Sequence, residues 1–193
     1  METIRTFIAI DLSEEVKKDI EDLVEEVKKE FNDCVKMKWV EKKNYHITLK
    51  FLGNILKSDV KNVIEKMNIC FCDEKRFLNQ FNSLGKFPKN GEYVKVIFMK
   101  IEKDEKIKEI HDRLEAHLNE LGFGKERFYV PHLTLARVKY VTNKKEFMKK
   151  VHEIFERYHD INIKFEVEKV TLYESKLKRN GPEYIKLHEI QFE

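Results

Sequence analysis

The sequence predicts an α+β protein with two pseudo-symmetric lobes of mostly antiparallel sheet, flanked by helices and facing each other across a central cleft. Three observations carry this expectation. The phrase His46-Ile47-Thr48-Leu49 returns as His132-Leu133-Thr134-Leu135, each copy in apolar, strand-like surroundings. The order strand, helix, motif strand, helix recurs loosely on both sides of the chain's midpoint. Hairpin-like links between strands argue against a doubly wound parallel sheet. No linker or low-complexity stretch interrupts residues 1–193, which are expected to form a single two-lobed domain with the two motif strands at the cleft.

Each element has a local reason. Arg5 to Leu12 reads as a strand with apolar side chains on both faces. Ser13 follows as a helix N-cap, with Glu14 and Glu15 in the first turn, where negative charge suits the helix dipole. Val16, Ile20, Leu23, Val24, Val27 and Phe31 then recur at helical spacing and mark one buried stripe. Met37 to Val40 and Tyr45 to Leu52 are strands around the charged turn Glu41-Lys42-Lys43-Asn44, and Gly53-Asn54 is expected to end the second. Ser58 is the expected cap of a helix burying Val63, Ile64 and Met67. Phe77 to Leu84 and Tyr93 to Ile101 form a strand pair, joined by a loop, GKFPKNG, whose Gly and Pro break regular structure.

A third helix runs from Asp104 to Leu121, with Ile107, Ile110, Leu114, Leu118 and Leu121 on one face and Gly122 as its stop. Pro131 to Val138 is the second motif strand. A fourth helix turns Phe147, Val151, Ile154, Phe155 and Tyr158 inward. Ile161 to Phe165, Val167 to Tyr173 and Tyr184 to Phe192 are strands, and Asn180-Gly181 signals a hairpin between the last two.

Composition narrows the function classes. The chain is 41% hydrophobic and holds 14 Phe, ample for a packed interior. The 38% charged fraction exceeds the usual quarter, yet Lys+Arg 38 nearly cancels Asp+Glu 35. A net charge of +3 does not mark a protein that coats nucleic acid, although it is compatible with a local basic cleft. Cys34, Cys70 and Cys72 are odd in number and lack paired spacing, which argues against a disulfide framework or a zinc site. There is no long apolar stretch, and the opening METIRTFIAIDLSEE turns charged too soon for a signal peptide. The expectation is a cytoplasmic protein with no membrane partner, acting as a monomer. Its Lys- and Glu-rich composition suits a heat-adapted organism.

In a strand, residues i and i+2 share a face, so each copy of the phrase presents an imidazole beside a hydroxyl. Histidine gains or loses its proton near neutral pH, and two of them can serve as base and acid in one displacement. Hydroxyl donors can hold the non-bridging oxygens of a phosphate. Such a scheme requires no metal and no cofactor. A single His-x-Thr is commonly a histidine bonded to backbone beside a good β-former. The doubling is what points to a site.

Flanking residues extend the signal. Lys38-Trp39-Val40, Asn44 to Gly53 (NYHITLKFLG) and Val130 to Arg137 (VPHLTLAR) resemble the 2H phosphoesterase superfamily. Within it they are most similar to the RNA 2′,3′-cyclic phosphodiesterases, historically called 2′-5′ RNA ligases. RTFIAIDL near the start, GKFP at mid-chain and Leu172-Tyr173-Glu174-Ser175 fit the same pattern, so the resemblance spans nearly the whole chain. It implies a basic cleft and metal-independent opening of a 2′,3′-cyclic phosphate at an RNA end, leaving a 2′-phosphate, without a cofactor. The implied partner is RNA with that terminus, tRNA fragments included.

Carried over by position, His46 and His132 are the acid–base pair, and Thr48 and Thr134 bind the phosphate. Arg137 matches the arginine of the second motif, expected near the phosphate. Simple alternation puts Arg137 opposite His132, so its contact requires a bulge or a strand end. The near symmetry of the motifs leaves open which histidine is the base. Two other readings share these residues. One is 2′-5′ ligation, in which a ribose hydroxyl attacks the cyclic phosphate. The other is a non-catalytic RNA-end or nucleotide-binding module, which has no need for two proton-transfer groups.

Further candidates read more plainly. Lys50, at i+4 from His46, points the same way and is expected as a solvated strand-end lysine rather than a phosphate contact. Trp39, Tyr45, Phe87 and Tyr173 are candidate base-stacking platforms, each read first as a core or loop-anchoring aromatic, with Tyr45 facing away from His46. His111, His117, His152, His159 and His188 are expected at the surface, and Cys70-x-Cys72 is structural. Lys-rich stretches (KKNYH, NKKEFMKK, KLKRN) read as solvated faces that could guide an RNA backbone.

Overall fold

A computed structural model describes residues 2–31, 34–91, 93–179 and 181–193. Among them are nine strands and four α-helices: β1 (Thr3–Asp11), α1 (Glu14–Glu30), β2 (Val35–Trp39), β3 (His46–Leu56), α2 (Val60–Phe71), β4 (Phe77–Phe87), β5 (Val96–Ile101), α3 (Glu105–Asn119), β6 (His132–Val141), α4 (Lys144–Arg157), β7 (Ile163–Val167), β8 (Lys169–Lys178) and β9 (Gly181–Gln191). The strands are ordered β7-β4-β5-β6-β3-β1-β8-β9, with β2 also on β6, and the pairings are antiparallel. No helix of the described residues is long and apolar enough to cross a membrane.

The sheet narrows at its centre. Strands β3 and β6 share one residue pair, Ile47 with Leu133. They diverge beyond it, giving one wing of β3, β1, β8 and β9 and another of β6, β2, β5, β4 and β7. These wings are the two lobes, but they are not the two halves of the chain. Strand β4 follows the first motif yet joins the second wing, while β8 returns to pair with β1 in the first.

Helices cover one face. Val16, Ile20, Val24 and Val27 of α1, Ile107, Ile110, Leu114 and Leu118 of α3, and Phe147, Val151 and Ile154 of α4 are buried, as their spacing predicts. Leu121 lies past the end of α3 and is exposed, because Gly122 at φ +88° turns the chain away there. The Ser13 hydroxyl accepts the Val16 amide at 3.3 Å, capping α1.

Several boundaries differ from expectation. Gly53 does not end its strand: at φ +73° it forms part of a bulge in which Leu52 is an extra residue opposite Thr6–Phe7, and β3 runs on to Leu56. Ser58 does not cap α2. It lies in a 3₁₀ turn, Lys57–Asp59, and bonds the Asp59 carboxylate at 3.2 Å. Gly85, Lys86 and Phe87 belong to β4 rather than to a loop, since they pair with Phe98, Ile97 and Val96. Gly85 is required there, because a Cβ would meet the Phe98 ring at 2.6 Å. Asn180 lies outside the described residues, and Gly181 pairs with Lys178 to start β9.

Candidate active site

Among the described residues, the single ladder pair between β3 and β6 is also the centre of both repeated phrases. Ile47 and Leu133 are fully buried toward the helices. Alternation therefore turns His46, Thr48, His132 and Thr134 to the opposite face, and all four line one cavity of about 560 Å³.

Each phrase is followed by a bulge at its leucine. Leu49 is an extra residue opposite Ile8–Ala9, and Leu135 is one opposite Ile97–Phe98. One inserted residue reverses the face of everything after it. Arg137 consequently returns to the cavity, meeting the condition its expected role required. Phe51, the equivalent residue of the first copy, lines the cavity too and is exposed. The intervening Lys50 and Ala136 turn inward.

Lys50 thus overturns its expectation as a solvated lysine. It is only 3% exposed. Its ammonium is bonded to the Glu115 carboxylate and donates to the Gly124 carbonyl at 2.8 Å.

The two imidazoles are held in matching states. His46 Nδ1 donates to the Asn44 carbonyl at 2.7 Å, and His132 Nδ1 donates to the Val130 carbonyl at 2.7 Å. A carbonyl only accepts, so each Nδ1 carries the hydrogen and each neutral ring keeps a bare Nε2. His46 Nε2 lies 3.0 Å from the Thr48 hydroxyl, which donates to it. Aromatic rings pack around both. The ring centroids of Phe7 and Tyr184 lie 5.0 and 5.3 Å from that of His46, and those of Phe98 and Phe87 lie 5.0 and 4.9 Å from that of His132, with Tyr184 and Phe87 each nearly perpendicular to its imidazole.

Burial drives the His46 pKa down to about 4, and the nearby His132 pushes the same way against the Asn44 carbonyl and Asp11. Burial also lowers His132, helped by the positive charge of Arg137. A stability prediction follows. The folded pKa of His46 lies below the unfolded 6.5, so the unfolded chain takes up this proton first as pH falls. Stability present above pH 6.5 is lost between 6.5 and 4, on the order of 3 kcal/mol for this group. Urea unfolding across that window will show a shallower loss in His46→Gln than in the parent.

Of the other aromatic candidates, Trp39 and Phe87 line the cavity. Tyr45 is buried in the core. Tyr173 is buried against Phe7 and donates to Asp11 at 2.5 Å. His111 is not at the surface. It is 1% exposed, donates from Nδ1 to the Leu49 carbonyl at 2.8 Å and stacks on Tyr129. Sequence reasoning missed Tyr184, which reaches the cavity from a distant strand, and the lining cations Arg5, Lys38 and Lys139. Phe51 had a signal: it occupies the place in the first phrase that Arg137 occupies in the second. Among the described residues, no three His, Cys, Asp or Glu side chains gather as a metal-binding group.

The model of the LigT-like phosphoesterase family matches the chain twice, over residues 10–98 and 99–184. The chain belongs to the LigT-like phosphoesterase family. Each match contains one copy of the His-x-Thr phrase, so the family unit and the internal repeat coincide. This phosphoesterase is 36% identical over 182 residues to the RNA 2′,3′-cyclic phosphodiesterase of Methanocaldococcus jannaschii, covering 94% of this chain and 96% of that one. It is 31% identical over 193 residues to the Thermotoga maritima protein of the same name, covering 98% and 96%. Among solved structures it is similar to TT0787 of Thermus thermophilus, with TM-score 0.77, 25% identity and 98% of both chains covered. Escherichia coli LigT complexed with 3′-AMP shares the fold, with TM-score 0.77, 22% identity and 99% of both chains covered.

Proposed function

We propose that this cleft hydrolyses 2′,3′-cyclic phosphates at RNA ends, without metal or cofactor, to a 2′-phosphate and a free 3′-hydroxyl. The observation that carries the reading is the Ile47–Leu133 pair, which brings two bare Nε2 atoms and two hydroxyls to one cavity. The names of the curated relatives supply the substrate class.

The reaction needs one proton taken and one given. One Nε2 accepts a proton from water as its oxygen bonds to phosphorus. The P–O3′ bond breaks, and the other Nε2, protonated, delivers its proton to the leaving O3′. Both rings lose proton affinity through burial, so the free site is poised to hold two bases. The negative charge of a bound phosphodiester restores that affinity, so the pair shares one proton once substrate arrives. When the phosphate binds, the Thr48 hydroxyl turns from His46 Nε2 to a non-bridging oxygen, which frees that nitrogen. Thr134 donates to another, and the Arg137 guanidinium balances their charge. Trp39, Phe51 and Phe87 offer apolar faces to the terminal nucleoside. RNA fragments cut to leave such ends, cleaved tRNAs among them, are the fitting substrates. Every group the scheme uses belongs to a single chain, so a monomer suffices.

The test is incubation with an oligoribonucleotide ending in a 2′,3′-cyclic phosphate, in EDTA, with the products resolved by chromatography. The expected product is the 2′-phosphomonoester, formed at an undiminished rate. No turnover, a 3′-phosphate product, or activity lost to EDTA would each overturn the reading.

A further inference from the structure

The divergence of β3 and β6 that opens the cleft has a cost in backbone bonding. With one shared residue pair, β6 offers no ladder partner to the carbonyls of Thr48 and Leu49. Buried carbonyls require partners. Two side chains from elsewhere supply them: Tyr129 Oη donates to the Thr48 carbonyl at 2.9 Å, and His111 Nδ1 donates to the Leu49 carbonyl at 2.8 Å. The two rings stack face to face, 3.7 Å between centroids and 8° between planes.

Tyr129 sits in the segment that leads into the second motif. Residues 124–130 are neither helix nor strand, and Tyr129 is the one among them that turns inward. The segment is fastened at its start by the buried Lys50–Glu115 pair. Lys50 holds the Gly124 carbonyl, and Glu115 accepts the Glu126 amide at 3.0 and 3.2 Å. At its end, Val130 accepts the Nδ1 hydrogen of His132. Adjacent residues therefore grip the two motifs: Tyr129 holds the backbone of the first, and Val130 holds the imidazole of the second.

We propose that Tyr129 is a positioning residue, and that the Tyr129–Val130 step is a brace setting the His132 imidazole against the strand that carries His46 and Thr48. Neither residue lines the cavity, so the brace touches no substrate and acts only through the motifs. Displacing a reacting group by about 1 Å costs as much as a hundredfold in rate. The inference rests on the cyclic-phosphodiesterase reading for its kinetic arm and not for its spectroscopic one.

Tyr129→Phe keeps the stacked ring and removes only the hydroxyl. The expected result is a fall in kcat on a cyclic-phosphate oligoribonucleotide of about tenfold to a hundredfold. KM and inhibition by inorganic phosphate should stay within about twofold, and the melting temperature within a few degrees. In proton NMR of the free protein, the His132 Nδ1 hydrogen should broaden by exchange with water. The His46 Nδ1 hydrogen, held by Asn44, should stay sharp as the internal control. An unchanged kcat, or a kcat loss accompanied by higher KM and early melting, would overturn the brace. An unchanged His132 resonance overturns it as well. If the parent protein turns over no cyclic phosphate, the functional reading fails, and the resonance alone decides the brace.

Discussion

His46→Ala and His132→Ala will each lower kcat for cyclic-phosphate hydrolysis by about 10²- to 10⁴-fold, the range for losing a positioned acid or base. The double variant will be little slower than the worse single one. On the proposed mechanism the proton leaves water and reaches O3′ through two Nε2 atoms acting as a unit, and groups that act as a unit are far from additive. The geometry makes the singles nearly equivalent in kind. Each ring is fixed in the same tautomer by a backbone carbonyl at 2.7 Å, and each opens its Nε2 to the same cavity. KM should rise much less than kcat falls, because Thr48, Thr134 and Arg137 still surround the anion. Steady-state kinetics on one defined oligoribonucleotide will check this. A loss below about tenfold in either variant would remove that histidine from the proton-transfer pair.

Lys50→Met will destabilise the protein by about 3–5 kcal/mol, the cost of stranding one member of a buried ion pair. Lys50 and Glu115 are 3% and 6% exposed, and the Glu115 carboxylate also binds the Glu126 amide. Burial by itself would raise the Glu115 carboxyl, yet the bonds from Lys50 and Glu126 hold it below its ordinary range. With the ammonium gone, that balance reverses, and the carboxyl must take a proton or lose the Glu126 amide. Lys50→Met/Glu115→Leu, which removes both charges at similar volume, should recover most of the loss. Urea unfolding of the parent, the single and the double variant measures all three. A single variant within about 1 kcal/mol of the parent would mean that the pair is hydrated rather than buried.

Much of the architecture is legible in local patterns. The α1 stripe of Val16, Ile20, Val24 and Val27 and the Ser13 cap are one-dimensional features, because helix periodicity and end capping depend on near neighbours. The doubled His-x-Thr phrase is legible for the same reason: strand alternation alone sets each histidine beside its threonine. Lys50 shows where such reasoning stops. Alternation placed it beside His46, and the bulge at Leu49 turned it into the interior. The matching bulge at Leu135 brought Arg137 back to the cavity. A bulge is an insertion relative to a partner strand, and at least one helix separates β1 from β3 and β5 from β6 in the chain. His111 misled for a related reason. It is buried against the Leu49 carbonyl, which lacks a ladder partner on β6, and against the Tyr129 ring, and both come from other elements.

The residue types at the cleft and their pairing on each strand follow from the order of amino acids, since they need only the two-residue period of an extended chain. The meeting of the two strands at Ile47 and Leu133, the bulges that sort Lys50 inward and Phe51 and Arg137 outward, and the brace through Tyr129 were decided by tertiary structure. Those features arise from registers between segments far apart in the chain, and register is set by which faces can be buried together.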